Sequence, residues 1–517
     1  MRFKVLMVFF WLVFWGLTGP AFGGSAGEDP ELAEILAEKV ARLPGEKLKK
    51  IIFVELSPAG LRVAGTGSVL AAIIANAGGV WPEGLGGGDF YPLDLATWKK
   101  LSPEVLIIRT KDRAAARKFL SQRSWRDVPA VRNDQIFDFP DGLVDQAQNY
   151  QSYFAAWLAG TLYPEEFGRT ENLVRPQRVL SAKPLKLDIP YVEKATIVDS
   201  RILDFIHRSL VIRFQSPQEV ISTASGSFAA VEAVGNSYSP APTWPIYHQK
   251  SFAGSMRLLH EVLGLNQEKS ALLGTGADLN NLVVTTRKYQ DLIVTTLITA
   301  GVEGNALRAG SDEGAYMEPG TINIIALANR RLSPGAMANA IIQITEAKTA
   351  ALWEMDIRSV QTGLENPATG TGTDSVIVVR GEGKAISYSG GHTKFGQLLA
   401  ESVKTGVSEA ILKQNGKTRQ RTVQARLAER GLYYPELTKY FENPRYKGFM
   451  ELAFSLSDAH RFGQAVDLTA FESLALMVAG EIAGKPVTRL ELPAKGEKTP
   501  VPMSLAIRAF LTGQKAQ

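Results

Sequence analysis

The 517-residue chain has no cysteine and only five histidines. Without cysteine there are no disulfides, thiolate zinc sites, iron–sulfur ligands, thiol nucleophiles or lipidated cysteine anchors, so any hydrolytic chemistry rests on oxygen and nitrogen groups. Five histidines spread along the chain argue against a histidine-rich metal centre. Excess charge of one sign is also scarce. Lys and Arg number 57 against 52 Asp and Glu, a net +5, too little to call for nucleic acid or an acidic membrane surface. Several motifs stop short. Gly65 and Gly67 are followed by Leu70 where a dinucleotide fingerprint needs its third glycine, and Ile411 stands where a Walker loop ending in Gly416, Lys417 and Thr418 needs its first. His260 and Glu261 open a segment lacking the second histidine of a zinc protease.

What is present is an ordinary folded composition, 45% apolar and 21% charged, in a chain long enough for roughly three domains. Arg2 and Lys4 precede an apolar run from Val5 to Leu17, then Gly19, Pro20 and small residues to Ala26. The run is shorter than the ~20 residues that span a bilayer, so residues 1–26 read as a signal peptide with an extracytoplasmic (periplasmic or secreted) destination. An uncleaved membrane anchor is the alternative. No integral membrane domain is expected.

Asp29 and Pro30 predict a capped helix with apolar positions Leu32, Ile35, Leu36, Val40 and Leu43. Strand-like IIFVEL, EVLIIR and QIFDF then alternate with helical segments, which predicts a small doubly wound α/β unit. The stretches AGTGSVLAAIIANAGG, YPLDLATWKKLSPEVLII, VPAVRNDQIF and LYPEEF resemble the C-terminal lobe of periplasmic binding proteins for cobalamin and iron–siderophore complexes, over residues 31–167. Only a helix precedes this lobe, where that family places a whole second lobe. The resemblance implies a corrinoid-type small-molecule ligand and a cobalamin ABC transporter as partner, with Trp81, Phe90, Tyr91 and Trp98 available to pack on a flat corrin face; core packing is the other reading of these aromatics. Residues 168–195, with Pro176, Pro184 and Pro190, read as a linker. Residues 196–415 read as a mixed α/β or α+β domain, and 416–517 as a helical C-terminal appendage of unknown role.

Two features of the middle domain bear on chemistry. A helix opened by Ser333 and Pro334 carries Ala338, Ile341, Ile342 and Leu352 on one stripe, with Thr345 and Thr349 inside it, Lys348 at its edge and Glu346 on its flank. Further on, Ser375–Val379 and Lys384–Ser389 flank a turn on Gly381 and Gly383, which predicts a hairpin bringing Asp374, Thr371 and Thr373 beside His392. His392 precedes a helix capped by Thr393, where the dipole favours a neutral imidazole. These groups form either a hydroxyl, base and carboxylate cluster, in which His392 activates water or threonine, or an ordinary turn with local caps.

The segments GNALRAG, GTINIIALAN, TEAKTAAL, ATGTGTD and GGHTKFGQLL, with GTGAD at Gly274–Asp278, resemble the motifs of the adenosylcobinamide amidohydrolase family over about residues 205–412. The resemblance implies cleavage of the amide between a corrin propionate arm and aminopropanol, giving adenosylcobyric acid in corrinoid salvage. Candidate catalytic residues are then His392, Asp374, Thr371, Thr373 and Glu346. Asn305, Arg308, Asn323, Lys348 and Thr349 would contact substrate. No cofactor is implied, the corrinoid being substrate, and a divalent metal on His392 and carboxylates stays open. Where the family carries a proline-asparagine-glycine-glycine element, this chain reads STASGSF (Ser222–Phe228). A non-catalytic corrinoid-binding protein is the alternative function.

Overall fold

The computed structural model describes residues 29–419, except 58–59, 251, 315–320 and 364–365, together with 421, 425, 426 and 429. The expected signal peptide and nearly all of the C-terminal appendage lie outside these residues. The described residues fall into two compact units: those up to 220 together with 225–280, and 221–224 together with those from 281 on.

The first unit opens with α1 (Pro30–Ala41), whose N-terminus is closed as expected, Leu32 N donating to Asp29 Oδ1 at 3.1 Å. Then follow β1 (Ile51–Ser57), β2 (Gly60–Ala64), α2 (Val69–Asn76), β3 (Phe90–Pro92), α3 (Leu95–Leu101), β4 (Val105–Arg109), α4 (Arg113–Leu120), α5 (Pro129–Arg132), β5 (Ile136–Phe139), α6 (Asp141–Asp145), α7 (Gln151–Leu162) and α8 (Pro164–Gly168). The sheet order is β3-β2-β1-β4-β5, with β1, β4 and β5 parallel. Alternation along β1 and β4 explains the layering. Ile51, Phe53, Val105 and Ile107 join a core with α2 and α7, while Ile52, Val54, Leu106 and Ile108 join one with Trp98, Leu101 and Leu120 from α3 and α4. The short antiparallel strands β2 and β3 were not expected; GLRVA and FYP are too brief to stand out from turn residues.

The stretch read as a linker is folded. It contains β6 (Arg178–Leu185), which pairs antiparallel with β7 (Val192–Ile202). Its prolines mislead because Pro184 sits in a strand with only one partner, where a missing N–H costs no second ladder. Next come β8 (Phe205–Ser222), β9 (Gly226–Tyr238), α9 (Trp244–Lys250), α10 (Phe252–Leu263) and β10 (Ser270–Thr275), giving the order β6-β7-β8-β9-β10. One core cluster holds Leu36, Ile74 and Phe154 together with Ile202, Phe205 and Leu272, so the lobe and these strands fold as one body. Inside it Lys39 pairs with Asp204 at 2.7 Å, both side chains almost wholly buried. Burial lowers the Lys39 pKa despite the carboxylate beside it.

The second unit contains β11 (Val283–Tyr289), β12 (Leu292–Ala300), β13 (Ala306–Leu307), β14 (Ile322–Ala328), β15 (Arg331–Leu332), α11 (Pro334–Glu354), β16 (Gly370–Thr371), β17 (Ser375–Val379), β18 (Ala385–Ile386) and α12 (Lys394–Asn415). Strands β17, β14, β12 and β11 are neighbours in that order, β14 and β17 being parallel. Ile322, Ile324, Val376 and Val378 face α11 and α12 in one core.

The expected hairpin does not form. Instead β17 pairs parallel with β14, and β18 is two residues long and pairs parallel with β15. Burial decides this. Val376–Val379 are buried throughout and need a ladder partner that is buried too, whereas Ala385 and Ser387 are exposed and Tyr388 is 55% exposed. The glycines still make the turn, with φ of 71° at Gly381 and 95° at Gly383, but the chain leaving it crosses to the start of α11. The buried stripe of α11 is also rotated from the expected one. Met337, Ala340, Ile344, Ala347, Lys348 and Ala351 are inside, while Ala338 and Ile342 are exposed, because alanines admit the close approach that the larger residues would prevent.

Candidate functional site

Asp374 is the centre of the second unit's polar chemistry. Its Oδ1 accepts from Ile322 N at 3.0 Å and from the Thr371 hydroxyl at 2.5 Å. Its Oδ2 accepts from Thr371 N at 3.1 Å and forms an ion pair with Lys348 Nζ. The Lys348 and Asp374 side chains retain 11% and 15% exposure, so the pair is largely desolvated yet reachable. A charge pair in such a place is strengthened by the low dielectric, and the four donors hold the carboxylate in one orientation.

Local structure explains the assembly. Residues 370–371 pair with 306–307 as β16 and β13, and Thr369 N donates to Leu307 O at 2.8 Å. Thr349 Oγ1 donates to Thr369 O at 3.0 Å, fastening the same loop to α11. Gly370 is required there. A Cβ would fall 2.4 Å from Asp374 Oδ2 and 2.7 Å from Lys348 Nζ.

Of the expected residues, the structure therefore joins Lys348, Asp374, Thr371 and Thr349. Asn305 and Asn323 are each 1% exposed and stand inside the fold, Asn323 accepting from Thr321 Oγ1 at 3.1 Å. Arg308 lies at the rim, 4.9 Å over the Trp353 ring. Thr373 is exposed, and its carbonyl accepts from Thr321 Oγ1 at 2.7 Å. Glu346 is exposed and accepts from Gln343 Nε2 at 2.9 Å; Thr345 is exposed too, its hydroxyl turned back to Ile341 O. His392 is not brought to Asp374. It is exposed and makes no hydrogen bond among the described residues. Ser389 donates to Ala336 O at 2.6 Å and Gly391 lies beside Gln343, so this segment follows the first turns of α11. Lys348 is five residues beyond Gln343, rotated by about 140° around the helix. Among the described residues no three His, Asp or Glu side chains converge as metal ligands.

The turn that departs from the family pattern lies against β17. Thr223 N donates to Val376 O at 2.9 Å, and its hydroxyl accepts from Val376 N at 2.9 Å.

The first unit holds a separate feature. A cavity of about 620 Å³ is lined by Thr66, Ser68, Trp81, Gln148 and Gln151, with no charged side chain among its lining residues. Ser68 stands at the N-cap of α2 without making the usual cap bond. Its hydroxyl and the Trp81 indole N–H are both buried without a partner among the described residues. Both residues line the cavity, while the donor atoms themselves are buried beneath its surface, so a ligand carbonyl or carboxylate oxygen would reach them only on a side-chain turn. Of the other aromatics, Trp98 is fully buried against Trp125, and Tyr91 accepts from Gly86 N at 2.9 Å.

A second missed group is His207, buried in β8. Its Nδ1 lies 3.1 Å from Phe205 O, which can only accept, so Nε2 accepts from the Tyr247 hydroxyl at 2.6 Å. Burial lowers the His207 pKa to about 4, keeping the ring neutral. A lone histidine in a strand carries no sequence signal for this.

No described helix is long and apolar enough to cross a membrane. Among solved structures, the periplasmic heme-binding protein of Vibrio cholerae is 20% identical over 26% of this chain and 53% of its own, with a TM-score of 0.23. The periplasmic heme-binding protein from Roseiflexus gives 21% identity over 25% and 53%, with a TM-score of 0.21. The chain thus spans about half the length of these binding proteins. A protein of Methanocaldococcus jannaschii without assigned function is 40% identical over 227 residues, 40% of this chain and 87% of that protein. An adenosylcobinamide amidohydrolase of Methanosarcina mazei is 33% identical over 150 residues, 26% of this chain and 66% of that one. The sequence model of the same family matches residues 192–419, which carry every member of the Asp374 cluster. By this match and these relatives residues 192–419 form a domain of the adenosylcobinamide amidohydrolase family, a family of amide hydrolases.

Proposed function

We propose that this protein hydrolyses the amide joining a corrin propionate arm to aminopropanol, converting adenosylcobinamide-type corrinoids to adenosylcobyric acid outside the cytoplasm. The observation that carries the reading is the desolvated Lys348–Asp374 pair bonded to the Thr371 hydroxyl, inside the stretch that matches the family. An amide needs an activated oxygen and a proton for its leaving nitrogen. The attacking oxygen is the Thr371 hydroxyl or a water taking its place on Asp374. Its bond to the carbonyl carbon forms as its proton passes to Asp374. The Lys348 ammonium protonates the nitrogen as the C–N bond breaks, and Asp374 returns a proton to Lys348. On the threonine route water then hydrolyses the ester.

The cavity of the first unit fits a capture role in this reading, with corrinoid amide carbonyls answering the Ser68 and Trp81 donors, and a cobalamin ABC transporter as the partner supplied. The altered STASGSF turn favours a second reading, a corrinoid binder that has lost catalysis. Mass spectrometry of adenosylcobinamide incubated with the full chain separates them. Release of aminopropanol is expected; a tight, unchanged complex supports the binder instead.

A further inference from the structure

Trp353 is 50% exposed near the C-terminal end of α11, five residues or about 7.5 Å of helix rise beyond Lys348. It stands about 140° around the helix from Lys348, so what links the ring to the ion pair is not the helix face but the loop that carries Arg308. The ring is not loose. Arg308 stacks on it at 4.9 Å, and Arg308 N is itself fixed by Asp312 Oδ2 at 2.6 Å. Val360, 42% exposed, is tied to the same loop by its N–H to Ala306 O at 2.9 Å. That loop continues through Ala309 N, bonded at 2.9 Å to Thr369 Oγ1, and so into the segment holding Gly370, Thr371 and Asp374. A flat, pre-ordered apolar plate is thus built onto the same frame as the reactive carboxylate.

We propose that Trp353, braced by Arg308, is the platform for the planar macrocycle of the substrate, leaving its amide arm to reach Lys348 and Asp374. The inference rests on the hydrolytic reading above and adds a specificity-determining residue to it. A small amide could react at Asp374 without touching the plate, whereas a ring-bearing amide gains stacking area from an indole already held in position.

The test uses the full chain with cobinamide and with N-(2-hydroxypropyl)propanamide, which has the arm but no ring. Trp353→Ala is expected to raise KM and the equilibrium-dialysis Kd for cobinamide about tenfold, with kcat within about threefold. Trp353→Phe should recover most of that loss, and kcat/KM for the ring-less amide should not move. An unchanged Kd for cobinamide, or equal losses on both amides, overturns the platform. If Trp353→Ala weakens cobinamide binding while even the wild-type chain releases no aminopropanol, the platform stands and the hydrolytic reading falls.

Discussion

Ser68 and Trp81 in the first unit keep buried donors with nothing described to receive them, in a cavity of about 620 Å³. In the second unit each carboxylate oxygen of Asp374 already accepts two hydrogen bonds. The first arrangement costs stability, on the order of 1–3 kcal/mol per unsatisfied buried group, and a ligand carbonyl would recover it. The second is complete before substrate arrives, as expected for charges that must stay oriented while bonds change. Open donors thus suit retention, and a satisfied ion pair suits chemistry.

The comparison breaks most severely if the ion pair is dispensable. Asp374→Asn and Lys348→Met should each lower aminopropanol release by at least about 10³-fold, because each removes a proton carrier and leaves its partner buried and unpaired. Circular dichroism distinguishes lost chemistry from lost folding. Full activity in Lys348→Met would return it to a structural role and remove the cluster from the mechanism.

The two units should also respond differently to acid. His207 titrates near 4 in the folded protein against about 6.5 unfolded, so the unfolded chain binds more protons between those values and stability falls as pH drops through that window. The loss approaches about 3 kcal/mol by pH 4, at about 1.4 kcal/mol per unit. Denaturant unfolding of the first unit, followed by hydrogen exchange on β8, should show this loss, and His207→Gln should flatten it. An equal slope in the variant would assign the acid sensitivity elsewhere.

Smaller effects are expected at the cavity. Ser68→Ala and Trp81→Phe remove donors that have no partner among the described residues, so the thermal midpoint should hold or rise slightly for Ser68→Ala, while Trp81→Phe also gives up part of an indole packed on the core and should lower it slightly. Corrinoid affinity of the full chain should fall about fivefold to tenfold for either variant, while turnover at saturating substrate is unchanged. A drop in turnover without a drop in affinity would contradict the division between retention and chemistry.

Much of this architecture was legible because local signals agreed. Asp29 with Pro30, and Thr393 before Phe395, marked helix starts that the structure keeps, Gly396 N donating to Thr393 Oγ1 at 2.9 Å. Asp374 and Thr371 were legible as a carboxylate and a hydroxyl of one cluster in ATGTGTD, but Lys348 of TEAKT was not legible as their partner. Pairing among strands is non-local: a turn on Gly381 and Gly383 predicts a reversal, yet which strand lies beside β17 depends on β14 and on burial that no nearby residue announces. The α11 stripe was misread for a related reason. Periodicity weighs Ile341 and Ile342 above alanine, while close helix packing selects Ala340, Ala347 and Ala351.

His392 gives the smallest expected effect and the sharpest use of the comparison. From the sequence it is the natural base, since an antiparallel hairpin would set it beside Asp374. In the structure β18 leaves β17 for β15, and His392 stands exposed ahead of α12 without a hydrogen-bond partner among the described residues. A base that cannot reach the attacking oxygen, directly or through one water, contributes nothing to the transition state. His392→Ala should therefore keep kcat/KM within about threefold of the unsubstituted chain, against the 10² to 10⁴ that loss of a true general base typically costs. Kinetics on adenosylcobinamide read the difference directly. A loss of 10² or more in His392→Ala, with affinity unchanged, would mean that substrate draws the segment before α12 toward Asp374, and the ion pair would then orient the histidine rather than carry the proton itself.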